Sequence, residues 1–475
     1  MIDSIPLSFL TVSLPILGAV LVRRMRRPAD PRVLGGVVAG LVIVAVGWLL
    51  AQVVASGGRV EDPSIDLGPL GFRPLFGMDA LSGLLALTNA VTAAAVIIGA
   101  PRARDERPRI AALLLTEALI LIMLTSQDLL LLAIAFCALA LPADARRRAR
   151  ADAPDCTRLY RLLFVAGAVP LAGVVAYGLL VGSQPLAQGL DLRIISTTPH
   201  EGATVVLGLL LVTVLFRMAL LPLHSWLPAL TQHGPLGSTV LLIASQSGAY
   251  LFVRVAFVFF GSDAGGLTAW LTWGGAISAV YAGVLAMVSN DLRRLIGWLS
   301  ISQAGLMIVG LCSLQEDGVT GAVAYWVSYG TAVTGLALTI WAVQARMGTT
   351  RISELGGLVR SAPRLTVAFA AFAVASVGFP GSLGFVAEDL LVHGVLEVNP
   401  ILGVTMIVAT AFNGIALVRA LFRTFLGPSR TDAPADLRPR ELWVVGGLAA
   451  VAFGLGMWPA GLIDILGLAR LCIHT

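Results

Sequence analysis

No lysine occurs anywhere in the 475 residues, so all 32 basic side chains are arginine. Any task that needs a cation able to release its proton near neutral pH therefore has no lysine to use. Charge is scarce, at 12% of residues, against 57% hydrophobic and a mean hydropathy of +0.89. These values exclude a soluble globular chain and fit a polytopic membrane protein. The four cysteines, Cys137, Cys156, Cys312 and Cys472, have neither pairing nor metal-ligand spacing. The five histidines are scattered as well, so no disulfide framework, iron–sulfur cluster or metal site is expected. No Walker or GxGxxG pattern stands in a soluble segment, so no nucleotide, flavin or haem site is expected, and no cofactor. A formal charge of +5 does not imply nucleic acid here, because in a membrane chain the position of the arginines matters more than their sum.

What the chain has in abundance is apolar sequence. Fourteen segments emerge, near Pro6–Val22, Val33–Val54, Ala80–Ile98, Ile110–Ser126, Asp128–Pro142, Leu162–Val181, Val205–Leu221, Ser238–Phe260, Leu267–Val288, Leu295–Leu311, Gly321–Val343, Leu365–Val392, Ile401–Phe425 and Leu442–Leu466. The first is followed by basic residues, the reverse of a signal peptide's order, and reads as a first span. Between the segments the charge alternates. Six loops (Arg23–Arg32, Arg102–Arg109, Arg146–Arg161, Arg293–Arg294, Arg346–Arg364 and Arg419–Arg440) hold 5, 4, 6, 2, 4 and 5 arginines, 26 in all. Arg59, Arg73, Arg193 and Arg470 lie on the opposite side, and Arg217 and Arg254 fall within spans. The positive-inside rule makes the arginine-rich loops cytoplasmic and, with an even number of spans, leaves both termini outside the inner (plasma) membrane.

Two segments are interrupted, the seventh at LLPLHSWLP and the twelfth at GFPGSLGF. Pro222 and Pro228 deny backbone donors, and hydrocarbon offers no water to the carbonyls they free, so irregular backbone at that depth implies burial in protein or a wet cavity. The breaks stand five spans apart and run in opposite directions, the pattern of an inverted-topology repeat. Glycine and proline are also simply common in membrane helices, which accounts for either break alone. Arg217, inside a membrane-length segment just before a break, is a functional candidate by position.

At these residues the sequence resembles the antiporter-like subunits of respiratory complex I, Mrp sodium/proton antiporters and membrane-bound hydrogenases. The resemblance is carried by MALLPLHSWLP (218–228), GAYLFVR (248–254), NDLRRLIGWLSISQAGLMIVGL (290–311) and GFPGSLGFVAEDLL (378–391), and less strongly by GMDALSGLLALT (77–88) and SQDLLLLAIAF (126–136). It implies an all-α fold of about fourteen transmembrane helices with two inverted five-helix repeats. The expected divisions are 1–108, 109–262 (helices four to eight), 263–427 (nine to thirteen) and 428–475. It also implies other membrane subunits as partners, a bilayer around them, and protons or monovalent cations as cargo. Any redox chemistry then belongs to partner subunits, as in an NADH:quinone oxidoreductase.

Members of this family move protons along a central polar axis that holds a glutamate on the fifth helix and lysines on the seventh and often the eighth. A histidine or lysine on the eleventh and a lysine or glutamate on the twelfth complete it. Carried over residue by residue, these positions fall on Cys137, Arg217, Gln246, the pair Tyr329 and Val333, and Glu388. Only Glu388 remains an ionisable acid. Arginine stays protonated at any working pH and cannot relay by deprotonating, so Arg217 reads as a fixed countercharge or an anion site.

Glu117 lies mid-span in the fourth segment, and it and Cys137 are each ten residues from Gln127 at the turn. That is roughly 15 Å by helix rise, about half the hydrocarbon thickness. Glu117 is accordingly expected to approach Arg217 and replace the missing acid; a local hydrogen bond or snorkelling is the plainer alternative. His224 and His233 flank the seventh-segment break, either as a proton entry or as partners of freed carbonyls. Gln303 reads as a helix-packing hydrogen bond, Asp79 and Asp128 as interfacial caps, and Arg254 as a snorkelling side chain near a helix end. Asp389 reads as pointing away from the axis.

Three functions remain open at this stage. They are a proton- or cation-translocating subunit of a complex I-like or hydrogenase-like assembly, the membrane subunit of a two-component inorganic-carbon (bicarbonate) transporter with a zinc-protein partner, and a structural subunit that no longer conducts.

Overall fold

The computed structural model describes residues 7–25, 30–62, 75–102, 106–139, 156–181, 203–256, 265–428 and 435–474. Pro142, Arg73, Arg193, most of the Arg146–Arg161 loop and the expected boundary at 262/263 lie outside the described residues. The helices are α1 (Leu7–Arg24), α2 (Pro31–Ser56), α3 (Ala80–Gly99), α4 (Arg107–Thr125), α5 (Leu129–Ala138), α6 (Cys156–Val181), α7 (Ala203–Arg217), α8 (Trp226–His233), α9 (Leu236–Ser245), α10 (Ser247–Leu251), α11 (Gly265–Val288), α12 (Leu292–Cys312), α13 (Glu316–Met347), α14 (Pro363–Ala375), α15 (Leu383–Val398), α16 (Pro400–Leu421), α17 (Pro439–Met457) and α18 (Ala460–His474). A short antiparallel ribbon joins β1 (Arg59–Glu61) to β2 (Gly77–Asp79), with Arg59 opposite Asp79.

Each apolar segment read from the sequence carries helix, and ten of the described helices are long and apolar enough to cross a membrane. The seventh segment is divided into α7 and α8, and the twelfth into α14 and α15, at the two expected breaks. Helix starts follow capping chemistry. Asp79 and Ser82 form a reciprocal capping box on α3, Asp291 accepts from the Arg293 and Arg294 backbone N–H groups at the head of α12, and Asp30 precedes Pro31 at the head of α2.

Nearly every helix is apolar all round, so amphipathicity cannot decide which ones face lipid. Burial separates them instead. The most apolar windows of α1, α2, α11, α16 (through the π turn Phe422–Leu426) and α17 are only 22–44% buried, whereas those of α3, α4, α9 with α10, α12 and α13 are 78–100% buried. The outer set presents Trp270 and Trp443 to the surroundings, as an apolar ring facing lipid does.

The centre of the inner set is α13, whose 32 residues rise about 48 Å and touch α3, α9, α12, α14, α15 and α17. Small residues permit those approaches. A Cβ on Gly321 would strike the backbone of Leu391 in α15, and one on Gly394 would strike the backbone of Gly318, so α13 and α15 cross backbone against backbone.

Three arginines of the basic loops are tied to other parts of the chain. Arg32 meets Glu106 at 2.6 Å, and Arg346 meets Glu441 at 2.5 Å. Arg293 donates through Nε to the Thr231 carbonyl at 2.7 Å, through a second nitrogen to the Gly234 carbonyl, and through a third to Gln344 Oε1 at 3.2 Å. It thereby clamps the end of α8 to α12 and α13.

Candidate functional site

At the first break, α7 ends on Arg217 and the chain turns through Ala219, which holds a left-handed φ of 55°, and Pro222 before α8 begins. The freed backbone groups find partners in side chains. Trp226 Nε1 donates to the Phe216 carbonyl at 3.1 Å, and the Leu221 N–H donates to Ser278 Oγ of α11 at 3.0 Å. Arg217 is 7% exposed; its Nε donates to Ser247 Oγ at 2.5 Å and its guanidinium lies 5.1 Å from the Phe136 ring centre. Gly248 is what lets α10 come this close, since a Cβ there would lie 2.6 Å from Met218 Cγ and 3.2 Å from Arg217 Cβ. Gln246, with φ 40°, sets the angle between α9 and α10. Cys137 of α5 is half-buried within electrostatic reach of Arg217.

Arg217, Gln246, Ser247 and Thr239 line a cavity of about 20 Å³ together with Ser300 and Ala304 of α12. A space of that size holds about one water. Three of the expected axis positions, Cys137, Arg217 and Gln246, are thus gathered at one place.

Glu117 is not among them, and its expected pairing with Arg217 does not form. Its side chain is fully buried, and both carboxyl oxygens lack a hydrogen-bond partner among the described residues. The reason is the face of α4 on which it stands. Leu113, one turn earlier on the same side, packs where Gly237 of α9 meets Val96 of α3 and Trp341 of α13. Arg217 meets Phe136 of α5 and Ser247 of α10 instead.

At the second break, α14 ends at Ala375 and the chain turns through Gly378 (φ 67°) and Gly381 (φ 91°) before α15. The turn satisfies its own donors, Phe379 N–H to Val374 O at 3.1 Å and Ser382 N–H to Phe379 O at 3.0 Å. Gln303 of α12 adds a bond from Nε2 to the Ser376 carbonyl at 3.2 Å, the packing role expected of it. Glu388, half-buried on α15, folds its carboxylate back against Gly378, where a Cβ would collide with Oε2. Thr410 of α16 lies beside that carboxylate, and its charge is felt at Tyr325 of α13. Asp389, next in sequence, is exposed.

Between the two breaks, Tyr329 of α13 donates its hydroxyl to Ser300 Oγ at 2.9 Å, and Ser300 lines the Arg217 cavity. Tyr325 was not legible as a candidate. It stands one turn before Tyr329 on the same face, 3% exposed, with its hydroxyl lacking a hydrogen-bond partner among the described residues. Val333 is buried and apolar.

His224 lies on a freed carbonyl, Nδ1 to Pro222 O at 3.3 Å, with its ring against Tyr281 and Trp298. His233, exposed at the end of α8, stands in the field of Asp291, Arg293 and Arg294.

Arg254 departs from expectation. Far from snorkelling, it is 8% exposed, pairs with Asp79 at 2.5 Å and donates to the Tyr250 hydroxyl at 2.9 Å, while Tyr250 donates to the Leu124 carbonyl at 2.7 Å. Asp79 therefore caps α3 and neutralises Arg254 at once. Asp128 caps α5 through the Leu131 N–H at 2.9 Å. Among the described residues no group of His, Cys, Asp and Glu side chains is placed to hold a metal.

Comparison with known proteins gives the same fold. A chain of respiratory complex I from Thermus thermophilus superposes with a TM-score of 0.88 at 24% identity, covering 98% of this chain and 100% of that one. One from the Mrp complex of Dietzia sp. superposes at 0.84 with 19% identity, covering 100% and 98%. In sequence, NADH-quinone oxidoreductase subunit M of Pseudomonas aeruginosa is 30% identical over 271 residues, 56% of this chain and 53% of that subunit, so the match spans about half the relative's length. Chain 4 of the chloroplast NAD(P)H-quinone oxidoreductase of Agrostis stolonifera is 28% identical over 435 residues, 84% of this chain and 85% of its own. The family described as NADH:quinone oxidoreductase/Mrp antiporter, TM, matches residues 156–413, more than half of the chain and both interrupted helices, and the chain belongs to that family of antiporter-like membrane subunits.

Proposed function

We propose that this chain is the antiporter-like subunit of a multi-subunit complex of the complex I or hydrogenase type in the plasma membrane. In this reading it moves protons, or another monovalent cation, by an axis with one titrating group and one fixed positive charge. The observation that carries the reading is that each break holds one charged side chain, Glu388 partly buried with its carboxylate against Gly378 at one and Arg217 buried beside a small cavity at the other. A carboxyl can take and release a proton, whereas a guanidinium cannot within working pH. Glu388 is then the exchanging group. Arg217 holds a constant charge that repels any excess proton from the cavity beside it and so discourages dwelling there. Electrons move in partner subunits, because this chain carries no redox motif of its own.

The test is proton flux into vesicles holding the assembled complex. Glu388→Gln should abolish flux while leaving the yield of complex unchanged, and Glu388→Asp should keep part of it. Unchanged flux per complex in the glutamine variant removes Glu388 from the mechanism. Inorganic-carbon uptake that depends on a zinc-protein partner would replace this reading, and an intact unmodified complex without flux would make the chain structural. For orientation, the 26 arginines in alternate loops favour both ends outside. Reporter fusions at Thr475 and within the Arg146–Arg161 loop should report opposite sides, with Thr475 outside, and a cytoplasmic Thr475 overturns the fourteen-span count.

A further inference from the structure

A buried hydroxyl without a partner is costly and uncommon, and where one persists a reason beyond packing is to be sought. Among the described residues Tyr325 is such a group. It stands on α13 between two close contacts with α15, Gly321 against the Leu391 backbone and Ser328 against Gly384, which brings it opposite Glu388, and it lies one turn from Tyr329 on the same face. Tyr329 is already bonded to Ser300, and Ser300 opens on the cavity that Arg217 and Gln246 line. The oxygens therefore fall in one sequence from the second break to the first: the Glu388 carboxyl, Tyr325, Tyr329, Ser300 and the cavity.

We infer that Tyr325, Tyr329 and Ser300 form a neutral hydroxyl relay that passes protons between Glu388 and the water cavity at Arg217. The inference rests on Glu388 being the exchanging acid, as proposed above. A hydroxyl both donates and accepts, so it can take a proton on its oxygen while giving up the one it held. In the transfer the Glu388 carboxylic acid gives its proton through a bridging water to the Tyr325 oxygen, and the Tyr325 proton passes through a second water to the Tyr329 oxygen. The Tyr329 proton then passes to Ser300, and the Ser300 proton to the cavity water. Glu388 is left as the carboxylate, one proton has been added to the cavity, and each hydroxyl regains its original composition with its hydrogen pointing the other way. Ser300, whose hydroxyl donates to the Ile296 carbonyl at 2.7 Å, must turn from that carbonyl toward the cavity for the last step. Rotation of the hydroxyls and reprotonation of Glu388 reset the line. No member of the relay has to ionise, which suits an axis that has lost its lysines.

The experiment compares proton flux per assembled complex in vesicles for Tyr325→Phe, Tyr329→Phe, Ser300→Ala and Glu388→Gln. Each phenylalanine keeps the ring and removes the oxygen. Loss of a proton-transfer group costs about 100-fold or more in rate, and that loss is expected for both phenylalanine variants at unchanged yield and melting temperature. Ser300→Ala should lose less, because water can enter the space of the missing hydroxyl. Tyr329→His, which restores a group able to take and give a proton, should recover flux that Tyr329→Phe has lost; a packing role for Tyr329 predicts no such recovery. Flux at the unmodified level in both phenylalanine variants, with Glu388→Gln inactive, overturns the relay and leaves the role of Glu388 standing. Flux retained in Glu388→Gln defeats the earlier reading instead. Should a phenylalanine variant fail to assemble, Tyr325→His and Tyr329→His decide, since assembled but inactive histidine complexes overturn the relay and active ones support it.

Discussion

Where α7 stops, the turn is built from Ala219 and Pro222; besides its own backbone bonds, Leu220 N–H to the Leu215 carbonyl and Leu223 N–H to the Leu220 carbonyl, it is held by two side chains, Trp226 on the Phe216 carbonyl and Ser278 of α11 on the Leu221 N–H. Where α14 stops, the turn is built from Gly378 and Gly381 and bonds mostly to itself. The first arrangement fixes a permanent charge, Arg217, beside a small cavity. The second brings backbone against the carboxylate of Glu388, closer than any side chain at Gly378 would allow. Two interruptions of similar outline thus serve different electrostatics: one frames a charge that never changes, the other surrounds a group that can lose its proton.

The contrast is broken most decisively by exchanging the titration behaviour. Glu388→Gln should reduce proton flux to background, a loss of about 100-fold or more, while Arg217→Lys, which keeps the cation and makes it able to deprotonate, should retain both assembly and flux. Equal loss in the two variants, measured per complex in vesicles, would mean that the breaks do not divide the labour.

The backbone half of the comparison is tested by stability. Gly378→Val places a branched side chain in a left-handed turn and against Glu388, and it should cost about 2–5 kcal/mol. Ala219→Gly relieves a left-handed alanine but loosens the unfolded chain, so the net change should stay within about 1 kcal/mol. Melting temperatures of the two purified variants in the same detergent give the order, and a larger drop for Ala219→Gly would reverse it. The side-chain supports of the two turns are tested in the same way. Ser278→Ala leaves the Leu221 N–H without its acceptor and should cost about 1–3 kcal/mol. Gln303→Ala, which removes one bond from a turn that otherwise serves itself, should cost about 1 kcal/mol.

Both breaks were legible in the sequence because proline and glycine act on the backbone wherever they stand, whereas Glu388 was marked only by the family resemblance, which places the twelfth-helix position there. The apolar segments were equally plain, since length and hydropathy decide them. What escaped was pairing between distant parts. Arg254 reads as a snorkelling residue because its position near a helix end permits that, and its actual partner, Asp79, belongs to the head of α3. Arg293 looks like one more loop arginine until its three acceptors on the α8 end and α13 are seen together. Glu117 was placed at a plausible depth by counting along a hairpin, but depth does not fix the face a helix turns inward. Tyr325 resembles any core aromatic in sequence; only the missing partner for its oxygen distinguishes it.

The crossing of α13 and α15 at Gly318, Gly321, Leu391 and Gly394 has a mechanical consequence. With no side chains in between, neither helix can slide or roll past the other without a backbone collision, so the two move as a single splint. Tyr325 lies one turn beyond Gly321, and Glu388 one turn before Leu391. Their separation is therefore gauged by that joint. Any motion that opens the second break has to be taken up on the α14 side, at Ser376–Ser382, where the turn can flex without changing the gap a proton must cross.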